Sequence, residues 1–225
     1  MNLNDIEHNL KLCHKVFKSL ILDNNVKRTS DKIISWDNYI SGINSDLYVK
    51  DFEQMVDKRQ FSFLLKDSSL IQIYYQFNDE GIIKYKLAFY PTPIVKKLTS
   101  EEIEDYFDEA TNDLYLSYYS QLINTFGDEI IYTNSNHLRF DYDSKVESHF
   151  KNHIQFGGIN ELRMPFKFLI IPFTFIDFII SNLYPIEFKL ISNKPAYKAL
   201  NTLSNKYIEL DKLEDHHSIY IHKDF

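Results

Sequence analysis

The sequence predicts an α+β fold: a mainly antiparallel twisted sheet with N-terminal, central and C-terminal helices packed on one face. Three observations point there. Apolar residues recur at steps of three and four near the N-terminus, the period falls to two in two separate blocks, and helical spacing returns between and after those blocks. With 225 residues, 44% hydrophobic and 16% aromatic, the chain has material for one large core. No internal repeat or Gly/Ser/Pro linker divides it, so a single domain over 1–225 is expected. Its parts are a helical segment at 1–59, a β-meander at 60–93, a helix at 99–127, a second β-block at 136–165 and a helical segment at 168–225.

Ile6, Leu10, Cys13, Phe17 and Leu20 or Ile21 make one face of a first helix, with Asn4 and Glu7 at capping-box spacing and Asp23-Asn24-Asn25 at its end. Residues 30–59 mix short apolar steps with turn residues, as a loop and a short helix do. In "LIQIYYQF" Ile71, Ile73, Tyr75 and Phe77 share a face, and in "IIKYKLAF" Ile83, Tyr85, Leu87 and Phe89 do so against Lys84 and Lys86. "NDEG" joins the two as a hairpin with Gly81 at positive φ, "FSFLL" adds a preceding strand, and the prolines of "YPTP" stop the meander. From Thr99 or Ser100 to Gly127 the spacing is helical again. Its acidic run from Glu101 to Glu109 is a solvated first part of a helix favoured by the macrodipole. The apolar run "FLIIPFTFIDFIISNLYP" at 168–185 is interrupted by Asp177 and flanked by Pro172 and Pro185. It reads as a buried helix at 172–184, not a membrane span, and a polar helical tail follows from about 195 to 215.

The formal charge of −7, spread over interleaved Lys, Asp and Glu, disfavours broad duplex binding through phosphate charge. Cys13 is the only cysteine, so neither a disulfide framework nor a cysteine-rich zinc site is available within the chain. With no signal-peptide pattern at "MNLNDIEHNLKL", a cytoplasmic protein is expected. There is no Gly-rich phosphate loop, no Gly-x-Ser-x-Gly and no cysteine–histidine nucleophile pattern, which disfavours nucleoside triphosphate hydrolysis.

The candidate site is in the second β-block. In "HLRFDYD", "HIQFG" and "ELRMP" the apolar residues Leu138, Phe140, Tyr142, Ile154, Phe156, Leu162 and Met164 alternate with polar ones. If the three strands pair over one core, Arg139, Asp141, Asp143, His153, Gln155 and Arg163 share the other face, and His149 reaches its rim. Two of the chain's four arginines lie here. A histidine titrating near neutrality, a carboxylate to orient it and arginines to hold charge are the parts of acid–base work on a phosphodiester. His153, Asp141 and Arg139 are the catalytic candidates, and Asp143, His149, Gln155 and Arg163 the binding ones. Asp141, Asp143, His149 and His153 also offer oxygen and imidazole ligands, but their spacing is not specific and no metal is assigned. The plainer account of the same alternation is a sheet with one solvated face and cross-strand Arg–Asp pairs. His216, His217 and His222 sit in a tail whose plainer account is exposure.

"FSFLLKDSSLIQIYYQF", "KLAFYPTP", "LRFDYD…SHFKNHIQFG…LRMP" and "IPFTFIDFIISNLYP", taken in order, resemble a bacterial family known only as a domain of unknown function. The resemblance covers most of residues 60–185. In that family a proline follows the first histidine of the pair, where this chain has Phe150. It implies a shared fold and a bacterial source, and it brings no activity with it. Such families suggest a phage-defence or toxin–antitoxin setting. The expectation is an accessory protein that recognises a partner or ligand, the partner being a protein such as a neighbouring gene product. A homo-oligomer is compatible with it, no membrane is implied, and the cofactor is left unknown. The alternative is an endonuclease-like enzyme acting on RNA.

Overall fold

A computed structural model describes residues 1–41, 48–97, 130–132, 136–157, 162–204 and 208–209. They fall into two compact units, one drawn from Met1–Pro91 and the segment from Asn136 on, the other from Thr92–Ser135. In the second unit β7 (Ile94–Lys97) pairs antiparallel with β8 (Ile130–Tyr132). The expected helix at 99–127 lies outside the described residues, as do the tail histidines.

The first unit is built on a nine-stranded antiparallel sheet. Its spine is β5 (Leu70–Asn78), β6 (Gly81–Tyr90), β9 (Leu138–Asp143), β10 (Asn152–Phe156) and β11 (Arg163–Pro165), in that order. The two expected blocks are thus one sheet, joined where β6 pairs with β9. The hairpin between β5 and β6 has Gly81 at φ 140°, and the Asn78 side chain accepts from the amides of Glu80 and Gly81 at 3.0 Å each. Along the other edge of β5 lie two short strands, β4 (Phe63–Leu65) at its start and β3 (Ile33–Trp36) at its end. Where these two meet, Ser62 Oγ accepts from the Ile73 amide at 2.8 Å and so replaces a missing ladder bond. β1 (Ile21–Asn24) extends the sheet beyond β4, and β2 (Val26–Ser30) extends it beyond β3.

Here the structure corrects the expected first helix. α1 runs Leu3–Val16, with a capping box of Asn2 and Asp5 rather than Asn4 and Glu7, and it ends at Phe17. Phe17, Leu20 and Ile21 keep apolar spacing because they enter the same core as α1, although Ile21 already belongs to a strand. Spacing alone does not distinguish a helix from a strand that dips into one core.

One face of the sheet carries Ile71, Ile73, Tyr75, Phe77, Tyr85, Leu87, Phe89, Phe140 and Ile154. Packed on it are α1 and three helices that each begin with proline: α3 (Pro172–Leu183), α4 (Pro185–Ser192) and α5 (Pro195–Ser204). Proline suits the first helical position because that amide has no partner within the helix. No side chain of its own caps α3; instead Asn9 of α1 accepts from the Phe173 amide at 2.9 Å and donates to Ser204 Oγ at 3.1 Å, tying three helices together. Phe140 meets the rings of Phe166, Phe175 and Phe178 edge-on. The buried helix at 172–184 is thus present, and among the described residues no helix is long and apolar enough to cross a membrane. The tail helix stops at Ser204, and Ile208–Glu209 pairs as a strand, β13, with β12 (Phe168–Leu169).

Asp177 on α3 takes a hydrogen bond from the Tyr197 hydroxyl at 2.8 Å. Burial raises its pKa from 3.8 to about 6, the Tyr197 bond opposing. Between these values the native state binds the proton that the unfolded chain has released, so stability falls as pH rises through that window and stays lower above it. Asp177→Asn is expected to raise stability by about 2 kcal/mol at neutral pH and to give no gain near pH 4. Urea denaturation across that range tests this, and a gain independent of pH rules it out.

Among the described residues one further helix, α2 (Tyr48–Asp57), lies on the opposite face of the sheet. Its Phe52 and Met55 pack with Phe61 and Leu70, and Tyr48, Leu64 and Tyr90 border them.

Candidate functional site

Register settles how the polar residues are arranged. Across β6, β9, β10 and β11, Lys86 lies beside Asp141, then His153, then Pro165; the next row is Ala88, Arg139, Gln155 and Arg163; Lys84 lies beside Asp143. Because alternate residues point to one side, the six expected side chains share the face opposite the helical core. β6 adds Lys84 and Lys86 to them.

Within this face the contacts differ from row to row. Asp141 forms an ion pair with Arg139, and its Oδ2 lies 4.0 Å from His153 Nε2. His153 Nδ1 is 3.0 Å from the Phe150 carbonyl; that oxygen only accepts, so Nδ1 carries the hydrogen. The ring is 4% exposed, and burial lowers its pKa although Asp141 works against this. His149 is exposed at the rim, its ring edge-on to that of His153 at 5.0 Å. Asp143 pairs with Lys84 at 2.6 Å. Among the described residues no three His, Cys, Asp or Glu side chains gather as a metal site would require, so Asp141, Asp143, His149 and His153 are not brought together as ligands.

Beside these groups lies a cavity of about 370 Å³. Its floor is sheet: Gln72, Lys86, Ala88, Tyr90, Arg139 and Gln155. Its roof is Trp36 at the end of β3 with Tyr39, Ile40 and Ser41 of the chain that follows, and Tyr48, Asp51 and Met55 of α2, and His137 and Gly157 complete the lining. One amide joins several parts of the roof. Gln60, buried, donates to the carbonyls of Asn38 and Lys58 at 2.9 Å each and accepts from Trp36 Nε1 at 3.0 Å and the Ile40 amide at 2.8 Å. Its backbone carbonyl takes the Gln72 side chain at 2.7 Å, which locks roof to floor. Asn38 and Arg59, both at positive φ, make the sharp turns this path needs.

The electrostatics follow from the burial. For Arg139 burial opposes the charge, but the Asp141 carboxylate outweighs it and holds the pKa above the usual value. Lys86 is half-buried and makes no ion pair among the described residues; burial pushes its pKa down. His137 is driven to about 4, first by burial and then by Arg139, and its buried Nε2 has no hydrogen-bond partner among the described residues. Its ring sits 4.9 Å from that of Tyr90 and against Gly157, where a Cβ would come within 2.5 Å of Nδ1 and displace the ring. Burial raises Tyr90 to about 12 and raises Tyr39 as well, so both phenols remain donors.

The structure therefore brings Arg139 and Gln155 to the cavity and places Asp141 and His153 beside it, with His149 at the rim. The Lys86, His137, Tyr39 and Gln60 contributions were missed. Lys86 was legible as the polar face of its strand; the roof came from a stretch with no clear period. Fold and site together define an α+β protein with an enclosed polar cavity on one face of its sheet. The chain belongs to the family described as "Uncharacterized conserved protein (DUF2290)", whose profile matches residues 20–219. Comparisons with curated proteins and with solved structures give no match.

Proposed function

We propose that the protein recognises a small polar ligand in the cavity above the sheet. The observation that supports this is the combination in one cavity of an ammonium with no ion pair among the described residues, Lys86, a guanidinium, Arg139, and aromatic walls. The volume lies within the usual range for small-molecule sites. Such a protein would act as an accessory to a neighbouring gene product, in a phage-defence or toxin–antitoxin setting, by reporting that the ligand is present.

RNA cleavage by Arg139, Asp141 and His153, with Arg163 beside them, rests on the approach of Asp141 to His153. Against it, Nδ1 of His153 is tied to a carbonyl and Nε2 faces Asp141, so neither nitrogen is presented to a phosphodiester. Recognition is the better-supported reading. Incubation with a bacterial small-molecule extract, desalting and native mass spectrometry are expected to show a bound small molecule on the protein and none on Ala88→Phe, whose ring fills the cavity floor. No adduct on the unaltered protein, or the same adduct on the variant, overturns the reading.

A further inference from the structure

We infer that the ligand is a 5′-phosphorylated nucleotide, its phosphate on Lys86 and Arg139 and its base among the rings of Tyr39, Tyr90 and His137. This rests on the recognition reading above and narrows it to a chemical class. Three features of the cavity argue for it together.

The first is charge. Lys86 and Arg139 are diagonal neighbours on adjacent strands, since Lys86 pairs with Asp141 and Ala88 with Arg139. Asp141 neutralises Arg139, and Lys86 has no ion pair among the described residues, so the positive charge of the cavity is on its floor, while the Asp51 carboxylate belongs to the roof. A guanidinium that spends one edge on a carboxylate still has donors to offer, and a phosphate oxygen accepts from it and from the ammonium together. Burial makes that charged lysine costly when the cavity is empty, and an anion relieves the cost.

The second is shape. Tyr39, which packs on Trp36 and Tyr74, and Tyr90, which packs on Tyr48 and His137, line the cavity with aromatic surface. Flat heterocycles stack on such walls whatever their identity.

The third separates a nucleobase from a simple aromatic acid. His137, neutral at neutral pH, offers one donor and one acceptor, and its buried Nε2 is without a partner among the described residues. Gln155 adds an amide with both functions and makes no side-chain hydrogen bond among the described residues. Paired neutral donors and acceptors match the edge of a base; a benzoate-like ligand would leave them unsatisfied.

Trp36 is the only tryptophan of the chain and lines the cavity, so its emission reports occupancy. Titration with AMP, GMP, CMP and UMP is expected to change that emission saturably for at least one of them. The matching nucleoside and inorganic phosphate alone should bind at least about tenfold more weakly. Lys86→Met should lose about tenfold or more and Lys86→Arg should retain binding, which separates charge from folding. A 5′-phosphorylated oligoribonucleotide is the parallel arm: binding by the mononucleotide identifies a free nucleotide, and binding by the oligonucleotide alone identifies a strand end. If none of these probes binds while a small-molecule adduct survives on the protein and not on Ala88→Phe, the nucleotide inference falls and the recognition reading stands. If neither nucleotide nor extract yields a ligand, both fall.

Discussion

Gln60→Ala is expected to destabilise the protein by about 3 kcal/mol and to open the roof of the cavity. The amide uses all of its capacity, two donors and two acceptors, on four separate groups. Truncation leaves the Trp36 indole N–H, the Ile40 amide and the carbonyls of Asn38 and Lys58 without that partner. Each orphaned buried group costs about 1–3 kcal/mol, and water reaching some of them keeps the total at the lower end. Trp36 then meets solvent, so its emission should shift to the red while the far-ultraviolet spectrum, dominated by the sheet and the other helices, is kept. Small-molecule binding should be lost with it. Unchanged emission together with a stability loss under about 1 kcal/mol would show that the roof is held by other contacts.

Asn152→Ala acts on the other face and is expected to cost about 3 kcal/mol as well. Asn152 accepts from the Tyr85 hydroxyl at 2.6 Å and donates to the carbonyls of Phe166 and Phe168 at 2.8 Å each. It is 1% exposed, so no solvent replaces these bonds. The residue joins the middle of the sheet to the segment that leads into α3, and its loss should loosen both. Tyr85→Phe in the Asn152→Ala background removes the hydroxyl that the first change orphaned. The double variant should therefore lose less, by about 1 kcal/mol, than the two single losses added. Strict additivity in urea denaturation would mean that the two side chains do not act as a pair.

Much of the site was legible because strand alternation is a local property. Once Leu138, Phe140 and Tyr142 are taken as inward, Arg139, Asp141 and Asp143 have no choice of side, and the same holds for His153 and Gln155. Which residues then touch depends on register, which no local period contains. Asp141 beside His153, and Arg139 beside Gln155, follow from the β9–β10 pairing. Lys86 beside Asp141 follows from a pairing between strands more than forty positions apart. The roof was hidden for a different reason. Trp36, Tyr39 and Gln60 belong to short or irregular pieces whose path is set by the Gln60 hydrogen bonds and two positive-φ residues. A single glutamine among turn residues carries no sequence signal of that role.

By itself the sequence determined the α+β class, the hairpin with Gly81, the buried helix from Pro172 and the sidedness of the polar residues. Each of these follows from periodicity, proline or glycine chemistry over a few neighbouring residues. Tertiary structure alone decided that α1 gives way to a strand, that the two β-blocks are one sheet, and that α2 and the Trp36 segment cover its polar face. These outcomes depend on long-range packing and hydrogen bonding, which select among arrangements that local preference leaves equally open.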